Sequence, residues 1–518
     1  MITFFVVLAA ICMVLPSRWV VAILPAFWMG QNTLLASRAA ILSAGPVDVT
    51  PVDFVLASLL LRWVWGIVLK KQIAADKPLY AAIVIFLTVS FLATLAAGVK
   101  FGHGHFLRCL TSEARFLSEI ALVPVMACAI TTLPQARRCI GILLATLAAV
   151  AAIQFVNFFG ASHGIIIGEV QGIERGELRY FGPVGDSVGF VLLLGYVVSL
   201  CFANVIGAGV FLGGILLTAG LGAIFGAGVG TLLFLVIGMQ FAQVRELAVR
   251  RLWLLPLFAL AGVIGVTVLA KPFVKTLTDR VSSGSYASSG GQRVANAKLA
   301  GAMLADNPLL GVGYMGYEAA LPHYGGEKFF DLTHHDGGTA NANNQFLQSL
   351  TDAGLLGLIA TGALVFCAAR LLLTVAKRSE DRFLSIFYLA AFIWLLAQVL
   401  GNLAAVWLIP SSFIARFLWI ILGTAVAIQR LLPISERENA DVRSASTRRH
   451  KPAQGNALGS HAKIATALKG RDSDCLANHR CHVPPFQGLH CMSMHSQGVA
   501  LGWLVGPIQG LKHSCAHT

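Results

Sequence analysis

Long apolar runs separated by short polar segments dominate the chain. A helix that crosses a membrane needs about 20 mainly apolar residues. The clearest runs of that kind begin near Val52, Leu79, Phe116, Ile140, Val184, Leu252, Phe346, Leu384 and Leu408. The first 36 residues hold one or two more, and residues 207–241 are too long for one span, with a predicted break in the Gly-rich stretch 222–230. The pattern predicts an all-α polytopic membrane protein with about 12 or 13 transmembrane helices.

Two segments depart from the apolar pattern. Residues 271–345 form one large polar loop, and its organised sub-segments favour a function, since loops of this length are otherwise uncommon. After the membrane domain, residues 1–434, the chain loses its periodicity, which predicts a disordered cytoplasmic tail over residues 435–518. The spacing of Cys and His in this tail matches no common zinc site.

Basic residues in the short loops predict the orientation of the spans. The clusters are Lys70, Lys71 and Lys77; Arg137 and Arg138; Arg245, Arg250 and Arg251; and Arg370, Lys377, Arg378 and Arg382. Alternation through the spans places all of them on one side, which the positive-inside rule makes cytoplasmic. The large loop and the shorter loop at 160–181 then lie outside.

The overall composition agrees with a membrane location. Hydrophobic residues make up 57% of the chain and charged residues 12%, whereas soluble proteins carry roughly 25% charged residues. The net charge of +14 would suggest nucleic acid for a soluble protein. Here the basic residues lie between apolar runs, so we expect contact with membrane lipid and no nucleic-acid partner.

Several polar residues of the outer segments are candidates for chemistry. Arginines of the large loop suit a phosphate-bearing substrate, because the guanidinium group binds phosphate bidentately. A His or carboxylate beside them could act as a general base. Gly311 and Gly313 would let the backbone approach a ligand closely. Asp352 and Arg416 lie within apolar runs, where ionisable residues are functional candidates. Solvation of an exposed loop, or snorkelling of charges at a span end, is the alternative that composition leaves open.

The order of several short segments carries a resemblance. These are Arg179 to Pro183 (RYFGP), Arg293, residues 308–314 (PLLGVGY), residues 344–348 (NQFLQ) and residues 352–357 (DAGLLG). Together they resemble the bacterial O-antigen ligase and polymerase family, of the WaaL and Wzy types. The detailed resemblance covers roughly residues 179–370, and the many-span layout extends it over residues 1–430.

The resemblance implies an activity and its partners. The enzyme would be a metal-independent, cofactor-free glycosyltransferase of the bacterial inner membrane, with its active site facing the periplasm. It would take a glycan from an undecaprenyl pyrophosphate carrier. The acceptor is another lipid-linked repeat in polymerases, which can work with a chain-length regulator protein, and lipid A core in ligases. The family's outer-loop arginines hold the pyrophosphate, which carries over to Arg179 and Arg293, and also to Arg280.

Two departures from the family pattern affect the prediction. Family members commonly show His-Asn before the span, whereas this chain has Asn343 and Asn344, and Asn cannot act as a base. Either the base is dispensable, or it comes from His334, His335 or Asp336. The Ser-Arg-Gly that many members carry near residues 218–230 is also missing.

Both departures favour a polymerase over a ligase. We also assign Asn343, Asn344 and Arg416 to substrate binding. A secondary transporter is the alternative from another class, although the paired interrupted helices that are typical of transporters are not evident.

Overall fold

The structure is a computed structural model dominated by helices. It describes residues 51–68, 76–167, 188–218, 220–251, 289–324, 344–401 and 412–449, with shorter pieces at 10–16, 19–20, 23–24, 26, 42–44, 47–49, 169–172, 178–182 and 342. Six of the described helices are long and apolar enough to cross a membrane, judged by length and composition. The prediction of an all-α polytopic membrane protein is confirmed.

The described helices follow one another in this order: α1 (Pro51–Val68), α2 (Lys77–Phe101), α3 (His103–Ile120), α4 (Leu122–Ala129), α5 (Leu133–Gly160), α6 (Val188–Cys201), α7 (Val205–Leu217), α8 (Leu221–Val236), α9 (Ala242–Arg250), α10 (Ser289–Asp306), α11 (Tyr317–Ala320), α12 (Gln345–Arg378), α13 (Arg382–Gly401) and α14 (Phe413–Arg449). The total of about 12 or 13 spans stays a prediction, because the span expected near Leu252 and most of the first 36 residues lie outside the described residues. Helix α14 continues past residue 434, and the tail beyond Arg449 also lies outside them.

Two short antiparallel hairpins accompany the helices. Strands β1 (Leu42–Ala44) and β2 (Val47–Val49) pair directly before α1. Strands β3 (Glu169–Gly172) and β4 (Leu178–Gly182) pair in the shorter outer loop, with Gln171 opposite Arg179. Strand β4 packs against α5, so the backbone position of Arg179 is held beside a long apolar helix.

The chain does break within residues 207–241, but not where the sequence suggested. Helix α7 ends at Leu217 and α8 begins at Leu221, so the predicted break at 222–230 is wrong. The Thr218 hydroxyl donates to the Ile215 carbonyl at 2.7 Å and accepts from the Gly220 amide at 3.3 Å. The glycines of α8 instead allow close packing on α6, as small residues do between membrane helices.

The run that starts near Phe116 is also divided. Helix α3 ends at Ile120, and α4 starts two residues later.

Helix α13 and the apolar part of α14 are largely buried inside the bundle. Polar side chains here bond across helices, as an apolar interior demands. The Tyr388 hydroxyl donates to Thr424 at 2.7 Å, and the Gln398 amide donates to the Phe190 carbonyl at 2.9 Å. These bonds join α13 to α14 and to α6.

Candidate functional site

The described part of the large loop folds as a helix followed by a compact turn. Helix α10 carries Arg293 and ends at Asp306, two residues before Pro308, as the sequence predicts for a proline stop. The Asn307 side chain donates to the Met303 carbonyl at 3.0 Å and to the Tyr324 hydroxyl at 3.1 Å. Helix α10 packs against the start of α12, so Arg293 belongs to an element that abuts the entrance of that span.

Residues 308–316 lie directly on an interruption of α12, and we call this contact the motif junction. The Val312 amide donates to the Thr351 carbonyl at 2.8 Å, and the Gly313 amide donates to the Asp352 carbonyl at 2.9 Å. In return, the Leu355 amide donates to the Pro308 carbonyl at 2.9 Å. Two segments that were separate motifs in the sequence, 308–314 and 352–357, therefore form one backbone-bonded unit.

Two glycines permit this close approach. Gly354 has φ 62° and ψ −156°, and a β-carbon there would lie 2.2 Å from the Leu309 carbonyl carbon. Gly311 also has a positive φ, and its β-carbon would lie 2.2 Å from the Thr351 carbonyl oxygen. Glycine is required at both positions by conformation and by space. Gly311 thus serves an approach between two parts of the chain, where the sequence had suggested approach to a ligand.

The Asp352 carboxylate ties the motif junction to the end of the large loop. It is buried, and it accepts from the Gln348 amide at 2.8 Å and from the backbone of Met315, which has φ 55°. The Gln348 oxygen accepts from the Ala342 amide at 2.8 Å. A continuous chain of hydrogen bonds therefore runs from residue 342, beside the segment that carries the predicted base, to the junction.

Tyr314 is part of the motif junction, and its side chain lies near aromatic rings and carboxyl groups of the helices. Its ring packs on Phe116 at 5.5 Å between centroids, and its amide donates to the Thr94 hydroxyl at 3.4 Å. Burial raises the pKa of its hydroxyl well above the usual value, and the neighbouring carboxyls of Asp352, Glu119 and Glu113 add to this effect. The hydroxyl has no hydrogen-bond partner among the described residues.

The face of α3 that meets the junction carries further polar groups. The Nε2–H of His105 donates to the Val312 carbonyl at 2.7 Å, and burial lowers the pKa of this imidazole. Burial raises the pKa of Glu113 to about 7, against a smaller opposing effect of its hydrogen bond with Thr94. His105 and Glu113 are both buried on this face of α3. Their spacing of four, through Cys109, is the helical signal that places them on one face.

Arg416 is paired inside the bundle. Its Nε donates to the Glu119 carboxylate at 2.9 Å, and both side chains are buried. The guanidinium group thereby compensates a carboxylate that would otherwise be costly in an apolar interior. Substrate binding by Arg416 stays a prediction, and its pairing with Glu119 was not foreseen.

The remaining predicted residues fall into two groups. Asn344 is the N-cap of α12, and its side-chain oxygen accepts from the Phe346 amide at 2.9 Å and from the Leu347 amide at 3.1 Å. The other group comprises Arg280, His334, His335, Asp336 and Asn343, which lie outside the described residues. Within the described residues, no three His, Cys, Asp or Glu side chains group together as a metal site would require.

Comparison with known families gives a match, and the matched residues include the motif junction. A family model described as O-antigen ligase matches residues 206–362. Residues 206–362 are therefore similar to the O-antigen ligase family. The match confirms the resemblance to the O-antigen ligase and polymerase family, and it supports a glycosyltransferase-like enzyme that acts on lipid-linked glycans. A search of curated proteins gave no match.

The matched segment takes in helices α7 to α11 and the first half of α12. It includes the whole motif junction together with Arg280 and Arg293. Arg179 and Arg416 lie outside the matched residues, so their roles depend on the resemblance of the sequence and on the structure alone.

Proposed function

We propose that this protein is a polysaccharide polymerase, which joins repeat units carried on undecaprenyl pyrophosphate into a surface polysaccharide such as O-antigen or exopolysaccharide. The observation that carries the choice of polymerase is the start of α12. Its N-cap is Asn344 and the preceding residue is Asn343, so no ionisable group stands where the family's ligases commonly have histidine. The family match supports the general class of reaction.

The proposed reaction is a displacement at the anomeric carbon of the donor sugar. The acceptor hydroxyl oxygen forms the new glycosidic bond while the bond from carbon to the pyrophosphate oxygen breaks. The lipid pyrophosphate leaves with the electron pair, and the hydroxyl proton passes to His334, His335 or Asp336. Arg179, Arg280 and Arg293 would stabilise the departing charge, since preorganised cations act where negative charge develops. The reaction needs no metal, because the leaving group is already activated and the protein chiefly positions the reactants.

The proposed location is the bacterial inner membrane, with the active site on the periplasmic face. Lys77 begins α2, and Lys377 and Arg378 end α12. The opposite ends of both helices adjoin the junction, because Lys100 near the end of α2 bonds to Asn307 and Asn344 caps α12. This arrangement agrees with basic loops inside and the large loop outside. A chain-length regulator is the protein partner that such a polymerase would have.

Substitution of the outer-loop arginines tests the proposal. Membranes that contain Arg179→Ala or Arg293→Ala should form no long polymer from lipid-linked repeats, although the protein remains in the membrane. The matched control is Arg250→Ala, because Arg250 is an exposed arginine paired with Glu246 on α9. Polymer length on gels is the readout. Normal chain length in both loop variants would overturn the site assignment.

A ligase is the second candidate, because O-antigen ligase is the description of the matching family. Analysis of the acceptor separates the two activities. Glycan attached to lipid A core supports the ligase, whereas longer chains that stay on the lipid carrier support the polymerase.

A further inference from the structure

Cationic side chains gather at the end of the bundle where α2, α3 and the turn Leu321–Tyr324 meet. Lys100 lies in the last turn of α2, Arg108 in the second turn of α3, and His323 in the turn itself, and all three are exposed. We call these three residues the basic cluster. They come from three separate segments, so their proximity is a product of the fold.

Contacts around Phe101 bring Lys100 and His323 of the basic cluster together. The ring of His323 lies 5.1 Å from the Phe101 ring, and the Lys100 ammonium lies 5.5 Å from it. On the buried side, the His105 ring lies 4.9 Å from Phe101. Arg108 and His323 are both close enough to disfavour the charged form of His105, although burial is the main cause of its lowered pKa. Lys100 and His323 therefore flank one aromatic ring, and Arg108 lies beside His105 on α3.

Among the described residues, no acidic side chain forms an ion pair with the basic cluster. Helix α3 also begins here, at His103, and has no side-chain cap, so its first amides add positive potential. Basic residues normally collect at the cytoplasmic ends of spans, whereas this cluster lies at the end that carries the junction.

The proposed polymerase has a specific need for a second site of this kind. Its donor and its acceptor both carry pyrophosphate, and the proposed reaction assigns the outer-loop arginines to the donor's pyrophosphate. The acceptor reacts at the end of its glycan remote from its pyrophosphate. The acceptor's pyrophosphate must therefore be held some distance from the donor's pyrophosphate.

The position of the basic cluster meets this requirement. Lys100 donates to the Asn307 side chain at 2.7 Å, directly after the end of α10. Residues 293 and 307 are fourteen positions apart along this element, which corresponds to roughly 21 Å of helix. The separation leaves room for an oligosaccharide between the two anions.

We propose that Lys100, Arg108 and His323 bind the phosphate groups of the acceptor glycolipid, as a second anion site distinct from the outer-loop arginines. This inference rests on the proposed function. The chemical class of ligand is a phosphate-bearing glycolipid, which the cluster would hold at the membrane surface while its far sugar reaches the donor.

Binding stoichiometry tests the site. Full-length protein in phosphatidylcholine nanodiscs is titrated with undecaprenyl pyrophosphate as the probe. Wild type should bind a second equivalent that the triple variant Lys100→Gln, Arg108→Gln, His323→Gln loses. The matched control removes Arg245, Lys377 and Arg378, which are exposed near the opposite end of the bundle, and should keep both equivalents. A triple variant that keeps both equivalents, or a wild type that binds only one, would overturn the proposal.

Competition separates the sources of phosphate. Inorganic pyrophosphate should displace the second equivalent, because the cluster recognises the anion. Phosphatidylglycerol in the nanodiscs should leave it bound, whereas complete displacement by phosphatidylglycerol would make the cluster a general lipid contact and refute the assignment. The conservative variant Lys100→Arg, Arg108→Lys should restore binding.

Kinetics then connect the site to the acceptor. The triple variant should raise KM for the acceptor about tenfold or more, with KM for the donor unchanged, since a loss of about 1.4 kcal/mol in binding is tenfold. An equal rise in both KM values would contradict the assignment. If wild type makes no polymer but the variant still loses the second equivalent, the proposed function fails and the anion site stands.

Discussion

A β-carbon at position 354 should break the motif junction. Gly354 lies where φ is 62° and ψ is −156°, a region that is essentially confined to glycine. In the substitution Gly354→Ala, the new carbon would lie 2.2 Å from the Leu309 carbonyl carbon and 2.4 Å from its oxygen. Both are backbone atoms, so no side-chain rotation relieves the clash. Residues 308–316 must therefore withdraw from α12.

The size of the effect follows from the contacts that are lost. The backbone conformation costs alanine about 1–3 kcal/mol. Withdrawal also breaks three backbone hydrogen bonds, those of Val312, Gly313 and Leu355, each contributing about 1 kcal/mol. If the rest of the bundle stays folded, detachment of residues 308–316 from α12 becomes more favourable by about 3 kcal/mol. This shifts the equilibrium between the attached and the detached segment on the order of a hundredfold.

Hydrogen exchange and thermal unfolding measure this effect. The amides of Val312 and Gly313 should exchange on the order of a hundredfold faster in Gly354→Ala, and polymer formation should fall because the outer loop loses its attachment. Gly362→Ala is the matched control on the same helix, since a β-carbon there meets nothing within 4 Å. It should be neutral or stabilise the helix by up to about 1 kcal/mol.

One result would refute the reasoning. If Gly354→Ala shows the same exchange at residues 312–313 and the same unfolding temperature as Gly362→Ala, the junction does not depend on close backbone approach.

Three further predictions concern single side chains. Glu113→Gln should flatten the pH dependence of stability. Burial raises the pKa of the Glu113 carboxyl from 4.5 to about 7. The protonated carboxyl therefore contributes at most about 3 kcal/mol to the free energy of unfolding, fully below pH 4.5, and this contribution is lost as the pH rises through 7. Unfolding temperatures between pH 5 and 8 that fall equally in both proteins would exclude this cause. Asn344→Ala should destabilise the start of α12 by about 1 kcal/mol while Asn344→Asp keeps the cap, and equal unfolding temperatures for the two variants would contradict capping. Arg416→Met should destabilise by up to about 3–5 kcal/mol because it removes one partner of a buried ion pair, and adding Glu119→Leu should recover most of that loss. Recovery of stability without recovery of polymer would indicate that Arg416 also contacts substrate.

Local features of the chain were predictable because their causes are local. The length of an apolar run determines whether a helix can cross a membrane, and the spans near Leu79, Phe346 and Leu384 appear as α2, α12 and α13. Pro308 ends α10 for a reason contained in its own ring. The glycines at 222–230 misled the prediction because their role is packing between α8 and α6, which depends on a neighbour.

The site could be predicted only in part, because its polar groups find distant partners. Arg416 pairs with Glu119 from 297 positions away, and His105 bonds to Val312 from 207 positions away. Asn344 could equally bind substrate or cap a helix by its residue type, and the start of α12 shows that its oxygen caps. Amino-acid type restricts what a group can do, while its neighbours determine what it does.

The sequence alone determined that this is a helical membrane protein with a large polar loop and an ordered set of segments that resemble the O-antigen ligase family. Only the tertiary structure decided that residues 308–316 close onto the interrupted helix α12 and that Asp352 holds them there. The physical reason is that Gly311 and Gly354, which lack β-carbons, must each meet the backbone of the opposite segment in space. That meeting is set by how α10 and α12 pack against each other, which no local pattern specifies.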